Sequence, residues 1–203
     1  LFMEQTQVKN AALHNLGCKV NSYETEVMEQ QLREAGYQIV PFAPGADVYV
    51  INTCSVTNVA DRKSRQMLHR AKKMNPGAVI VAAGCYVQTA VERTGLAVEA
   101  DIILGNNQKK DLILALEEYE REQKNRRISR VIDINHTGEY EEMFLNRTGE
   151  HTRAYIKVQD GCNQFCSYCV IPYARGRARS RRPEEVTEEL KQLAENGVKE
   201  VVL

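Results

Sequence analysis

Apolar and polar positions along this chain alternate between two periods. Asp47-Val48-Tyr49-Val50-Ile51-Asn52 and Ala78-Val79-Ile80-Val81-Ala82-Ala83 are near-continuous apolar runs, the pattern of strands covered on both faces of a parallel sheet. Ala11 to Leu16 and Ala100 to Leu104 are shorter runs of the same kind, and Tyr37 to Pro41 reads as a strand whose proline marks its end or a sheet edge. Between these runs the period lengthens to that of a helix. Val27, Met28, Leu32 and Ala35 share one face, Asn21 is placed to cap that helix with Glu24 returning the capping-box bond, and Gly36 stops it. A second helix runs from about Asn58 to Met74 and closes at Asn75-Pro76-Gly77. A third runs from Lys110 to about Arg121 on Leu112, Leu114, Leu116 and Tyr119. Strands alternating with helices predict an α/β fold: over residues 1–125, an open, mostly parallel sheet with helices on both faces.

The pattern weakens in the middle of the chain. Glu117 to Arg130 is dominated by charge and reads as a solvated connector, residues 131–150 read as a linker with one or two short strands, and 126–150 together are taken to join the two units. A second unit begins at residue 151. Ala154 to Gln159 is an alternating strand, followed by a cysteine loop and an arginine-rich stretch. A helix then runs from Pro183 to about Asn196, with proline and acids at its start and Gly197 after its end. Lys199 to Leu203 starts another strand. This β-loop-α-β order opens a parallel (β/α) barrel, so residues 151–203 are expected to be the first part of an incomplete barrel, in a fragment of a longer protein.

Composition adds little by itself. Lys plus Arg and Asp plus Glu each number 27 among 203 residues, so a nucleic-acid face must come from local clustering. No apolar run approaches the roughly 18 residues of a membrane span, and the first ten residues lack the apolar core of a signal peptide. The expectation is a cytoplasmic protein with no membrane partner. In that compartment the six cysteines point to metal or redox chemistry rather than to disulfides.

Their placement sharpens this. Cys162, Cys166 and Cys169 follow a CxxxCxxC spacing, so one loop can offer three thiolates and no fourth. A 4Fe-4S cubane is normally held by four, and three leave one iron open. Cys18, Cys54 and Cys85 each lie just past the carboxyl end of a predicted strand, where ligands of open α/β sheets gather. Each alone reads equally well as a small buried hydrophobe; three in equivalent positions favour a second thiolate site. Zinc is the rival for both, but none of His14, His69, His136 and His151 stands at zinc-ligand spacing from the loop, and His14 lies inside a strand.

Two basic stretches stand out. Arg62, Lys63, Arg65, His69, Arg70, Lys72 and Lys73 lie on the helix after Cys54, and Arg175, Arg177, Arg179, Arg181 and Arg182 follow Cys169. A solvated face explains most such runs. Because guanidinium groups suit phosphates and both runs flank cysteine loops, Arg62, Arg65, Lys73, Arg175, Arg177 and Arg179 are the candidate RNA contacts. Tyr168 reads either as a core aromatic or as a side chain packing on a bound cofactor.

Cys162-Asn163-Gln164-Phe165-Cys166-Ser167-Tyr168-Cys169 resembles the signature of radical S-adenosylmethionine (SAM) enzymes. Upstream, Leu16-Gly17-Cys18-Lys19-Val20-Asn21, Asn52-Thr53-Cys54-Ser55 and Ala83-Gly84-Cys85-Tyr86 are similar to the N-terminal domain of the methylthiotransferases within that superfamily. Lys19, Val20 and the stretch Ile171 to Gly176 look most like the MtaB branch, which converts N6-threonylcarbamoyladenosine at position 37 of tRNA to its 2-methylthio derivative. The MiaB branch acts on isopentenyladenosine, and the RimO branch on a ribosomal protein.

The resemblance implies two 4Fe-4S clusters and SAM as cofactors. Cys162, Cys166 and Cys169 would hold the radical-generating cluster, with Tyr168 beside SAM, and Cys18, Cys54 and Cys85 the cluster that carries the sulfur. It also implies the tRNA anticodon loop, an electron donor and a sulfur source as partners, and an inactive fragment if the barrel is unfinished. An iron–sulfur electron carrier and a zinc-stabilised RNA-binding module are the alternatives outside this class.

Overall fold

The computed structural model describes residues 8–95, 97–123, 125–146 and 153–203. The last residues of the expected linker and His151 lie outside them. The N-terminal unit is built on six parallel strands: β1 (Asn10–Asn15), β2 (Gln38–Ile39), β3 (Val48–Thr53), β4 (Val79–Gly84), β5 (Ile102–Leu104) and β6 (Ile128–Arg130), in the order β2-β1-β3-β4-β5-β6. Every residue of β3 and β4 is buried, as their unbroken apolar runs require. β2 is the short edge strand anticipated before Pro41.

Helices cover both faces. On one lie α1 (Lys19–Glu34) and α4 (Leu112–Arg121), which bury Tyr23, Val27, Met28, Leu32, Leu112, Leu116 and Tyr119 against Val48, Val50, Val79 and Val81. On the other lie α2 (Asn58–Met74) and the short α3 (Cys85–Thr89), with Leu68, Ala71 and Tyr86 against Tyr49, Ile51, Ile80 and Ala82. The hydroxyl oxygen of Thr57 caps α2 by accepting from Ala60 N at 3.1 Å. Gly36, at φ +87°, closes α1 as expected. Ala35 and Leu114, both assigned to apolar faces from the sequence, are exposed.

Two readings of the sequence are corrected. Ile128–Arg130 is a paired edge strand rather than part of a charged connector, registered on Ile102–Leu104. The Asn21–Glu24 capping box does not form: α1 begins three residues earlier, with Cys18 as its N-cap and no side-chain cap. Both side chains face the interior instead.

The second unit packs on the α1 and α4 face. The expected strand of residues 154–159 is split into β7 (Arg153–Tyr155) and β8 (Gln159–Asp160). The short α5 (Ile171–Arg175), β9 (Arg179–Ser180), α6 (Pro183–Glu195) and β10 (Glu200–Val202) follow. β7 pairs parallel with β10, as a barrel's first two strands do, and β8 pairs antiparallel with β9. Ala154, Ile156 and Leu193 join the same apolar core as α1. Between the units, residues 131–146 run without a strand among the described residues, yet bury Ile134, Met143 and Leu145.

Candidate functional site

The strand order reverses beside β1, the topological switch point at which open α/β sheets bind ligands beyond their carboxyl ends. Cys18 follows β1, Cys54 follows β3 directly and Cys85 follows β4 directly. Glycines shape this rim. Gly17 has φ +116°, and a β-carbon there would stand 2.9 Å from both Cβ and Sγ of Cys54. Gly84 has φ +99°, and a β-carbon there would stand 2.5 Å from Asn52 Oδ1. Neither turn leaves room for a side chain. Ser64 Oγ receives Cys54 N at 3.2 Å and donates back to Cys54 O at 3.0 Å, and Asn106 Nδ2 donates to Cys85 Sγ at 3.5 Å.

Cys54 and Cys85 are buried and Cys18 is exposed. Burial pushes the Cys54 thiol up. The backbone amides of Val56 and Ser55 oppose the rise, while Cys85 and Cys18 add to it. Among the described residues no three Cys, His, Asp or Glu side chains converge tightly enough for a single metal ion. A cubane presents its irons at separate corners and takes more widely spread thiolates than one zinc does. Three thiols on one rim are the ligand type that an iron–sulfur cluster would take.

The second loop follows β8. Gly161 (φ +76°) and Gly176 (φ +75°) press three chain segments together: a β-carbon on Gly161 would lie 2.2 Å from Arg177 O, and one on Gly176 2.2 Å from Ile134 O. Across this contact Cys162 N donates to Gly176 O at 3.0 Å, and within the loop Cys169 N donates to Cys166 O at 2.9 Å. Phe165 adopts a left-handed φ of +48°, meets Tyr173 edge-on at 5.8 Å and lies under Arg177 at 5.1 Å. Cys162 and Cys169 are half-buried and Cys166 exposed. Tyr168 is 90% exposed, so it is not a core aromatic.

Buried polar groups that the sequence reading missed lie between the two cysteine rims. Glu24, fully buried on α1, accepts from Lys109 and Lys157 at 2.9 Å each and from Arg175 at 2.9 and 3.1 Å. Asp160 accepts from Arg175 at 2.9 Å and from Lys157 at 3.2 Å. Burial works against its charge, but Arg175 and Lys157 prevail and pull its carboxyl down to about 2; the Glu24 carboxyl is likewise held well below the usual range by Arg175, Lys109 and Lys157. Asp160 stood two residues before Cys162, a position that offered a signal. Glu24 looked like an ordinary capping residue and offered none.

The basic candidates divide. Arg62, Arg65, Lys73 and Arg177 are exposed. Arg65 lies over the Tyr86 ring at 5.8 Å, and with His69, Arg70 and Lys73 it lines a cleft of about 620 Å³ along α2. Arg175 and Arg179 are buried. Arg175 is consumed by Glu24 and Asp160, and Arg179 donates to Arg175 O at 2.9 Å, so the RNA contacts expected of these two are withdrawn. Arg181, from the same stretch, pairs internally with Glu189.

Residues 10–105 match Uncharacterized protein family UPF0004, and residues 156–203 match the Radical SAM superfamily. The chain is 45% identical over 192 residues to threonylcarbamoyladenosine tRNA methylthiotransferase MtaB of Bacillus subtilis (strain 168), covering 95% of this chain and 42% of that protein. It is 42% identical to the protein of the same description from Aquifex aeolicus (strain VF5), covering 95% of this chain and 46% of that one. A tRNA-2-methylthio-N(6)-dimethylallyladenosine synthase of Moorella thermoacetica is 35% identical, with 92% of this chain and 43% of that protein aligned. The chain thus spans less than half the length of these relatives.

Proposed function

Because the chain belongs to the family that joins an UPF0004 domain to a radical SAM domain, we propose that the protein of which it forms part is a tRNA methylthiotransferase acting on N6-threonylcarbamoyladenosine at position 37. The observation that carries this reading is the pair of three-cysteine rims, one at the switch point of the parallel sheet and one in the loop after β8, in a chain whose relatives of highest identity given above are named for that reaction. Cys162, Cys166 and Cys169 would hold one 4Fe-4S cluster and leave an iron for SAM; Cys18, Cys54 and Cys85 would hold a second. Bound there, these groups supply radical generation and the sulfur to be transferred.

The chain's own residues would do the holding. Gly17 lets the rim close on Cys54 and Gly84 lets it close on Asn52 and Thr53, and Asn106 donates to the Cys85 sulfur. Tyr168 stands exposed beside Cys169, in a position to cover a bound cofactor. Arg62, Arg65, Lys73 and Arg177 offer guanidinium and ammonium groups to an anticodon-loop backbone. The same reading gives a cytoplasmic enzyme served by an electron donor and a sulfur source; no helix among the described residues is long and apolar enough to cross a membrane.

Anaerobic reconstitution of the full-length protein should give about eight irons per chain, and deletion of its gene should remove the 2-methylthio group from threonylcarbamoyl-modified tRNA while leaving isopentenyl-derived nucleosides intact. The Moorella relative keeps the dimethylallyladenosine reading as the second choice, and the reverse nucleoside pattern would establish it. About four irons with no SAM cleavage would favour an electron carrier, and zinc in place of iron an RNA-binding module.

A further inference from the structure

The buried ions between the two units form a connected path from one cysteine rim to the other. Arg175, on α5, uses its guanidinium as a fork: Nη1 donates to Glu24 Oε1 and to Asp160 Oδ1, both at 2.9 Å, and Nη2 donates to Glu24 Oε2 at 3.1 Å and to Asn21 Oδ1 at 2.7 Å. Each of these acceptors leads to a cysteine. Asn21 donates its own Nδ2 to Leu16 O at 2.6 Å and to Thr53 O at 3.0 Å, which fixes the turns into Cys18 and Cys54. Asp160 Oδ1 accepts from Gly161 N at 3.0 Å, one residue before Cys162. On the remaining side, Asn106 Nδ2 reaches both Ala174 O at 2.6 Å and Cys85 Sγ at 3.5 Å, while its Oδ1 takes Lys109 Nζ at 2.5 Å, and Lys109 pairs with Glu24.

Each side of this junction supplies part of what the other lacks. Glu24, Asn21 and Lys109 come from the UPF0004 unit and its flank, Lys157, Asp160 and Arg175 from the second unit, and all six are buried. A buried carboxylate deprived of its cationic partner is costly, and a bidentate guanidinium fixes direction as well as distance. Burial works against the charge on Arg175; Asp160, Cys85 and Glu24 hold it in place.

We propose that Arg175 and Glu24 are positioning residues that lock the loop of Cys162, Cys166 and Cys169 in fixed register to the rim of Cys18, Cys54 and Cys85. The register between whatever the two rims carry is then fixed by the buried ion cluster, in which the Arg175–Glu24 fork, with Lys157 beside it, supplies the directional contact. A group generated at one rim meets a group held at the other only in this register. The inference rests on the reading of the two rims as partners in one reaction, but its first test does not need that reaction.

The test is hydrogen exchange, followed by mass spectrometry, on the metal-free, thiol-reduced full-length protein. Arg175→Lys keeps the charge and removes the fork; Glu24→Gln keeps the shape and removes the charge. Both are expected to speed exchange at residues 159–163 and 171–176, where Cys162 N binds Gly176 O, by about tenfold or more, with β3 and β4 as protected as in the wild type. Unchanged exchange in the loop, or equal loosening of loop and strands, would overturn the proposal, the second by reducing the pair to general stability. A second readout is the magnetic interaction between the two reduced centres of the reconstituted protein. It should weaken in Arg175→Lys at unchanged iron content. Loss of exchange protection without a second cluster would leave the lock standing and remove the two-cluster reading.

Discussion

Replacing Gly17 by alanine tests how tightly the first cysteine rim is built. The substitution carries two separable costs. Gly17 sits at φ +116°, a conformation that costs a residue with a β-carbon about 1–3 kcal/mol. The new β-carbon would also lie 2.9 Å from Cys54 Cβ and Sγ, where ordinary contact begins at 3.4 Å; overpacking of this kind costs a further ~1–3 kcal/mol. Gly36→Ala isolates the first cost, because Gly36 also has a positive φ, +87°, and nothing within 4 Å of its missing β-carbon. Urea unfolding should therefore show Gly17→Ala less stable than Gly36→Ala by roughly the overpacking cost. The clash is relieved most directly by moving the Cys54 sulfur, so Gly17→Ala should fall from about eight irons towards about four after reconstitution, and Gly36→Ala should keep all of them. Equal stability of the two variants to within about 0.5 kcal/mol, together with full iron in Gly17→Ala, would refute the argument.

Four further outcomes are expected. Asp160 titrates at about 2 and Glu24 also well below its usual range in the folded chain, against roughly 4 when unfolded. The unfolded state therefore takes up these protons first, so the stabilisation is intact above about pH 4.3 and is lost as pH falls through 4 towards 2; a urea midpoint that stays level over that window would contradict it. Glu189→Ala removes a buried carboxylate that accepts from Tyr23 Oη at 3.0 Å and Leu145 N at 2.8 Å and pairs with Arg181, and should cost about 3–5 kcal/mol in denaturant unfolding. In metal-free protein at mildly alkaline pH, iodoacetamide should modify exposed Cys18 and Cys166 about tenfold or more faster than Cys54, whose burial raises its thiol pKa; peptide mapping that finds Cys54 first would count against the rim. Arg62→Ala, Arg65→Ala, Lys73→Ala and Arg177→Ala should each lower the salt dependence of tRNA binding by about one unit of slope, whereas Arg179→Ala should act on stability.

The legible parts of the fold were those in which local pattern and burial agree. β3 and β4 could be read because both faces of each strand are covered, and α2 because Asn75-Pro76-Gly77 marks its end; the Thr57 cap at its start was not read. β6 was hidden because Ile128-Ser129-Arg130 follows a charged run and is a strand only through pairing with β5. The cysteines were legible from spacing, but what binds the rims together was not. Asn21 and Glu24 carry the residue types and spacing of a capping box, and only distant Lys109, Lys157 and Arg175 turn them inward. Arg175 and Arg179 looked like surface charge because a sequence does not display the carboxylate or carbonyl that draws a guanidinium inside.

The forked ion pair also sets an order of events during synthesis. Glu24 and Arg175 are separated by 151 positions, so at about 5–20 residues per second the ribosome delivers the arginine on the order of 10 s after the glutamate. All six strands of the first sheet, which ends at Arg130, have been made before Lys157, Asp160 or Arg175 exists. Throughout that interval Glu24 has Lys109 as its one cationic partner from the cluster, and its second carboxylate oxygen waits for Lys157 and Arg175. A chain arrested before Arg175 therefore carries all six strands of the sheet but lacks the fork that closes the Glu24 face of α1.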